Sequence, residues 1–299
     1  MKHSIAYYFL HPSAGLHALR TKFDDKYAIK RQWNAVMDYP LNLKNPRTFA
    51  EKLQWLKLYD RKPIYHQMVD KVDAKMFINR VLGSDYAVPT LGVYDCFEEI
   101  DWESLPQQFI LKATHDSGSF FIVNDKSVVD KHKCKARLYR HWEKGYYGCH
   151  REWQYKGLKH RIVAEPLLKD EKTPYLRDFK FYCFNGEPKV FYITSDKGDS
   201  LPTRQDFFDI DGNHLDLEDA HYTNNPLHIP DLPLHLDDMV AMARKLACDT
   251  YHLRVDFYEI GDRVYVGELT FHEDAGFCSF IPDRWNYTLG DWIHLPIEK

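Results

Sequence analysis

Four side chains near the end of the sequence have the types and spacing for metal and phosphate chemistry. Arg254 and Asp256 lie two apart in LRVDFY, and Glu268 lies two before Thr270 in VYVGELT. Ile260-Gly261-Asp262-Arg263 separates the two runs and reads as a turn. Both runs alternate in polarity, the pattern of strands whose side chains face one way at every second residue. Arg254, Asp256 and Tyr258 then share one face, and Val264, Val266, Glu268 and Thr270 share another. Paired as a hairpin, the strands bring Asp256 and Glu268 together beside Arg254. Two carboxylates so placed repel unless a cation separates them, and Mg²⁺ is held by one or two carboxylates plus substrate phosphates. The same alternation also fits a solvated acidic face paired with an arginine, so the rest of the chain must decide.

Other strand ends carry matching chemistry. Phe109–Thr114 (FILKAT) reads as a strand with Lys112 near its end. It runs into the small polar loop His115-Asp116-Ser117-Gly118-Ser119, and Phe120–Val123 returns as a second strand. Arg161–Leu168 (RIVAEPLL) reads as a strand with Glu165 at a Pro-Leu-Leu corner. Arg177–Thr194 reads as an aromatic hairpin turning at Asn185-Gly186, a strong two-residue turn signal. It carries Lys180 and Lys189.

The elements that position these groups are helices and short strands. Residues 13–60 read as helical, with Thr48 and Glu51 at capping-box spacing. A second helix is expected from Pro63 to Leu82, with Lys75 on it and Gly83 as its cap. A short strand is expected over 88–94, a basic helix over 127–144, a hairpin over 207–215 turning at Asp211-Gly212, and a helix over 236–250. Asp237-Asp238 falls in the first turn of that last helix, where its dipole favours acids.

The chain has 299 residues, enough to bury about three quarters of the surface its unfolded form exposes. Charged residues make up 28% and the net charge is −4, so whole-domain electrostatic binding to nucleic acid is not expected. Six cysteines show no Cys-x-x-Cys spacing and read as free thiols in a reducing cytoplasm. His132, Cys134, His141, Cys149 and His150 fit no common closed zinc spacing. The first twenty residues are too short and too broken for a membrane span or a cleaved leader. Asp209-Ile210-Asp211 has a form that can hold a metal–nucleotide-sugar, but Gly212-Asn213 makes it read as a turn. There is no phosphate-loop Gly-x-x-x-x-Gly-Lys-Ser/Thr and no His-Arg-Asp or Asp-Phe-Gly of the protein kinases.

Two lysines, a small amide-rich loop and a carboxylate pair are what a triphosphate with Mg²⁺ requires. Their order resembles the ATP-grasp superfamily of carboxylate–amine ligases over about residues 65–282. The segments LNLKNPRTFAEKLQWLKLYDRKP, DKVDAKMFI, VPTLGVYD, FILKATHDSGS and GELTFHEDAGF together resemble its teichuronopeptide-biosynthesis-like (TupA-like) branch. The resemblance implies an α+β fold, with two α+β lobes sandwiching ATP. It implies a helical extension over residues 1–62 and an ATP-grasp domain over 63–299, with a small lobe at about 106–168 and a larger one at about 175–282. ATP and Mg²⁺ are the implied cofactors. Lys75 and Lys112 would contact phosphates, under a loop of His115, Ser117, Gly118 and Ser119. Glu165, Leu167 and Leu168 would hold adenine, and Asp170 or Glu171 the ribose. Asp256, Glu268 and Thr270 would hold Mg²⁺, although the superfamily usually has Asn where Thr270 stands. Arg254 would stabilise the transition state, and Lys180 or Lys189 would add a phosphate contact. The implied substrates are a carboxylate and an amine of surface-glycan synthesis, in the cytoplasm, with peripheral contact to a polysaccharide-assembly complex. Tyr146, Tyr147, Trp153 and Trp285 are offered to sugar rings or to core packing. A glycosyltransferase and a non-catalytic glycan- or nucleotide-binding protein are the alternative readings.

Overall fold

A computed structural model describes residues 24–83, 85–170, 176–195 and 203–297. Glu171 and the expected helix over 13–23 lie outside them.

Helix α1 (Asp25–Val36) starts where Asp24 accepts a hydrogen bond from the Tyr27 amide. Helix α2 (Phe49–Tyr59) has the expected capping box: Thr48 accepts from the Glu51 amide, and Glu51 from that of Thr48. The expected helix over 63–82 is two helices, α3 (Ile64–Val69) and α4 (Asp73–Leu82). Asp70 breaks it. Its Oδ1 accepts from the amides of Val72 and Asp73 and from Arg161, so a side chain replaces the helical partner there. Gly83 ends α4 at φ 93°, a left-handed value that suits glycine.

Strands β1 (Gly92–Tyr94), β2 (Phe109–Ala113), β3 (Phe120–Val123) and β4 (Ile162–Pro166) form a sheet in the order β1-β4-β2-β3. One face packs Phe109, Leu111, Val123, Ile162 and Ala164 against Cys134 and Leu138 of α5 (Lys131–Leu138), which is shorter than the expected basic helix. The other face carries Ile110, Lys112, Ile122 and Glu165, because Ile110 pairs with both Ile122 and Glu165.

The second sheet has β5 (Asp178–Phe184), β6 (Glu187–Ser195), β7 (Arg204–Asp209), β9 (His252–Ile260) and β10 (Arg263–Thr270), in the order β10-β9-β5-β6-β7. The Asn185-Gly186 turn forms as read, with both residues at positive φ. The expected 207–215 hairpin is reduced to a single bridge, Phe208 to His214. Asp209 accepts from the amides of Asp211 and Asn213, so the Asp-x-Asp run closes its own turn. The short helix α6 (Tyr146–His150) precedes β4 in the chain. Helix α7 (Leu236–Ala247) lies against Phe181, Phe191, Leu253 and Val255 on one face of this sheet. On the other face, α2 and α8 (Arg284–Trp292) bury Tyr182, Phe184 and Phe207. The short pair β8 (Glu218–Asp219) and β11 (Phe280–Ile281) adds to that side. The architecture is mixed α+β, with helices α1 and α2 preceding the sheets. Among the described residues no helix is long and apolar enough to cross a membrane.

One register feature departs from simple alternation. Val266 pairs with Phe257 and Glu268 with Asp256, so Gly267 is the extra residue of a bulge. The bulge reverses the facing of β10. Val264, Val266 and Leu269 enter the core, while Glu268 and Thr270 turn to the opposite face. The expectation that Val264 and Val266 share a face with Glu268 and Thr270 is therefore corrected. A Cβ at Gly267 would stand 2.5 Å from Cε2 of Tyr258. Gly267→Ala is expected to displace that ring and to cost about 1–3 kcal/mol of stability, read from urea unfolding midpoints at constant m-value.

Candidate active site

The sheet register sets a row of side chains across four strands. Tyr192 of β6 faces Lys180 of β5, Lys180 faces Asp256 of β9, and Asp256 faces Glu268 of β10. In the adjacent row Tyr182, Arg254 and Thr270 are neighbours. Two rows of one sheet face therefore hold most of the polar groups singled out in the sequence. No loop has to bring them together.

Asp256 is 1% exposed and is held from two sides. Arg254 binds it in a fork, Nε to Oδ1 at 2.7 Å and Nη2 to Oδ2 at 2.8 Å. Lys180 donates to Oδ2. Burial alone would raise the Asp256 carboxyl, but Arg254 and Lys180 hold it below the usual carboxylate range. Burial would lower the Lys180 ammonium, but Asp256 and Asp178 raise it. Arg254 also reaches Glu273 at 2.7 Å and Thr270 Oγ1 at 3.2 Å, and its Nη2 lies 3.9 Å from Glu268. Glu268 is the open member of the set, with its side chain 33% exposed, and Lys71 stands 3.8 Å away.

A second charged cluster lies on the cleft-facing side of the four-stranded sheet. Glu165 accepts from Lys75 and Lys112, one at each carboxylate oxygen and both at 2.6 Å. Burial works to raise this carboxyl and the two ammonium groups bring it down below its ordinary value. Burial lowers Lys75 despite Glu165. Two lysines on one carboxylate leave a net positive charge, which suits an anionic ligand. Beside this cluster is a cavity of about 370 Å³ lined by Val88, Ile110, Ile122, Leu167, Leu168 and Tyr258, with Lys112 and Glu165 at its polar end. Its walls come from both sheets.

Several expected site residues lie elsewhere. His115 and Ser119 are buried within the small polar loop. The His115 ring stacks on His160 at 3.9 Å, and burial pushes it down to about 3. Ser117 and Gly118 form the exposed tip, Gly118 at φ 84°. Asp170 follows the Leu167–Lys169 wall of the slot. Of the two lysine alternatives, Lys180 is in the row, and Lys189 lies over the Trp292 ring at 5.4 Å. Trp153 packs on His66 and Trp285 on Trp292.

Some groups in and beside the site are not among the candidates that the sequence offers. Lys71 reaches Glu268 and also donates to the Asp116 carbonyl. Tyr192 donates to Glu273 at 2.8 Å. Lys57 is fully buried, and burial lowers its ammonium to about 8. A periodic signal for Lys57 did exist: it stands four residues after Leu53, on the buried stripe of α2.

The family model described as TupA-like ATP-grasp matches residues 51–294. The chain belongs to the TupA-like ATP-grasp family. It accordingly has the ATP-grasp fold, in the α+β form described above, and ATP-grasp ligases are ATP-dependent carboxylate–amine ligases. Solved structures to which this ATP-grasp chain is similar include D-alanine–D-alanine ligase from Bacillus anthracis, at 16% identity over 69% of this chain and 57% of that one, TM-score 0.40. The corresponding ligase from Helicobacter pylori gives 12% identity, 84% and 70% coverage, and TM-score 0.43. N5-carboxyaminoimidazole synthase from Aspergillus clavatus gives 14%, 77% and 53%, and 0.39. The chain thus spans little more than half the length of the Bacillus and Aspergillus proteins. No curated protein matches its sequence.

Asp256→Asn tests the central row. It leaves Arg254 and Lys180 buried and facing a neutral amide, and is expected to cost about 3–5 kcal/mol. The pH dependence has a definite sign. The Asp256 pKa is depressed by folding, so its stabilisation is complete above the unfolded value, near 3.9. That stabilisation disappears as pH falls through the lower folded value. Urea midpoints between pH 7 and pH 2 should fall steeply for the wild type, and less steeply for Asp256→Asn.

Proposed function

We propose that this protein is an ATP-dependent carboxylate–amine ligase that forms an amide through an acyl-phosphate. We further propose that it acts in bacterial capsule or cell-surface polysaccharide synthesis, on a uronic acid or an amino-acid substituent. It would work in the cytoplasm, in peripheral contact with the assembly complex. The reading keeps the division into a helical extension over 1–62 and a nucleotide-binding domain over 63–299, whose lobes span about 106–168 and 175–282.

The observation that carries the proposal is the continuity of the cleft. An apolar slot walled by both sheets leads to the Lys75–Glu165–Lys112 cluster and then to the Lys180–Asp256–Glu268 row. The slot fits a flat base, with Ile110, Ile122, Leu167 and Leu168 against its faces. Lys75 and Lys112 would turn from Glu165 to phosphate oxygens, with Ser117 and Gly118 above them. Asp170 would serve the ribose.

The donor set also fits Mg²⁺. Asp256 and Glu268 are opposed across one ladder with the Thr270 hydroxyl in the next row, all oxygen ligands of the kind a hard cation takes. When bound, Mg²⁺ would neutralise phosphate charge during phosphoryl transfer. The chain's own part is positioning and charge compensation. Arg254 would stabilise the negative charge that develops in the transition state, and Lys180 would add a phosphate contact. The buried thiols Cys134, Cys183 and Cys278 are pushed up by burial, so none of them offers a thiolate nucleophile.

Thermal unfolding with ATP and Mg²⁺, against UTP and UDP-sugars, tests the reading. ATP with Mg²⁺ should stabilise the wild type by about 2.7 kcal/mol at a hundred times the dissociation constant. Glu268→Gln should lose most of that shift. Stabilisation by UDP-sugars alone would replace the ligase with a glycosyltransferase.

A further inference from the structure

Residues 131–144 carry six lysines and arginines against one glutamate, in a chain whose net charge is −4. Helix α5 sorts these cations onto different faces. Cys134 and Leu138 turn into the core of the four-stranded sheet. Lys131 and Lys135, four apart, face the acidic segment 98–103: Lys131 stands over the Trp102 ring at 4.5 Å, and Lys135 pairs with Glu98. Lys133 and Arg137, also four apart, share another face, and Arg140 follows in the turn after the helix. All three are exposed. Among the described residues, none of the three makes an ion pair. Like charges one helical turn apart repel, and a surface kept only for solubility intersperses both signs.

Two further features lie along this run. Phe120 is 42% exposed on β3, the edge strand of its sheet, and the Arg137 guanidinium stands over its ring at 5.8 Å. At the other end is a cavity of about 680 Å³, with Ser117, His150, Arg254 and Thr270 in its wall. Burial pushes the His150 ring down, Glu152 opposes it, and the charges of Lys57, His141 and Arg140 act with burial. Arg140 therefore stands near enough to the cavity wall to act on His150.

We propose that this run is a docking track for an acidic glycan. Carboxylates of successive sugars would pair with Lys133, Arg137 and Arg140, a sugar ring would lie on Phe120, and the end of the chain would enter the cavity. The proposal rests on the ligase reading and adds to it that the carboxylate substrate is carried on a polymer.

The chemistry of the run favours such a partner. A uronic acid presents an apolar C–H face and a carboxylate on one ring. Phe120 and Arg137 present the complements, an aromatic plane and a planar guanidinium. A single exposed ion pair is weak and easily screened, so one free sugar acid gains little here. A chain engages several cations at once, and each contact raises the effective concentration for the next. The run is one helix face and one turn wide and leads toward a cavity, which suits a polymer strand better than the plane of a membrane.

The test is calorimetric titration of the full chain at low salt with polygalacturonate, galacturonate monomer, dextran, and vesicles of phosphatidylglycerol in phosphatidylcholine. Polygalacturonate should bind and dextran should not, and the affinity should fall as salt rises, because exposed charges are screened. The monomer should bind at least about tenfold more weakly than the polymer. The triple variant Lys133→Glu, Arg137→Glu, Arg140→Glu should also lose about tenfold in polymer affinity, the effect of several exposed ion pairs together. Its thermal unfolding midpoint should match the wild type, since all three side chains are exposed. A second triple variant, Lys44→Glu, Lys245→Glu, Arg263→Glu, makes the same change of net charge at exposed positions elsewhere and should bind as the wild type does. No polygalacturonate binding, a monomer as tight as the polymer, unchanged binding in the first variant, an equal loss in both, or binding to the vesicles without polygalacturonate would overturn the proposal. Stabilisation of the wild type by ATP and Mg²⁺ is read separately. Polymer binding that depends on the run, without nucleotide stabilisation, would sink the ligase reading and leave the track standing. Nucleotide stabilisation without polymer binding would do the reverse.

Discussion

The structure depends on the compensation of buried charge. Asp256 lies on β9, an inner strand of a five-stranded sheet packed on both faces. An isolated carboxylate there would cost several kcal/mol. It is kept ionised because two cations reach it from set positions, Lys180 across one ladder and Arg254 two residues along its own strand. The Lys180 contact does not survive a shift of register by one residue, which would send every side chain of the strand to the other face. The register is in turn fixed by the apolar residues that alternate with these groups. Phe179, Phe181, Val255 and Phe257 fill the face under α7. The polar row is thus held by the core on its reverse side.

The same logic explains why the cleft is preorganised. Glu165 needs Lys75 and Lys112 to be buried at all, and the lysines come from different elements, α4 and β2. Lys75 can reach because Asp70 ends one helix and starts the next, turning α4 toward the four-stranded sheet, and Arg161 of that region locks Asp70 in place. A backbone bond from Val266 to the Tyr86 carbonyl, at 2.7 Å, ties the bulged strand to the segment entering the small sheet. Packing, caps and ion pairs therefore converge on one line between the sheets.

Much of this was legible in the sequence because it rests on short-range rules. Period-two alternation exposed the facing of Arg254 with Asp256, Asn185-Gly186 fixed a turn, and Thr48 with Glu51 marked a helix start. The order of Lys112, Glu165, Asp256 and Glu268 was readable for the same reason: each stands at a fixed step along a strand. What failed was long-range or side-chain-driven. The Asp70 break depends on Arg161, ninety-one residues away. The Gly267 bulge changes which β10 residues are buried, yet a lone glycine in a strand does not announce its register. The burial of His115 follows from stacking on His160, a contact with no local signal. Glu273 joins the site through the turn after β10, and Lys71 through the helix break after Asp70, neither of which has a periodic signal.

The two clusters share a property that bears on how the site would be used. Each holds its key carboxylate in ion pairs, and the ligands proposed above would each take over one partner. Phosphates offered to Lys75 and Lys112 would take the place of Glu165, and a hard cation offered to Asp256 would take the place of Lys180. The cations released from the carboxylates would then already stand beside the new anions. An ion pair of this kind orients two side chains before the ligand arrives, so less rotamer entropy remains to be lost on binding. The cost is a site that is stable when empty and has to be entered by exchange of partners. Glu268 is the exception. It is part-exposed and only loosely approached by Lys71 and Arg254, which makes it the carboxylate a cation would reach first.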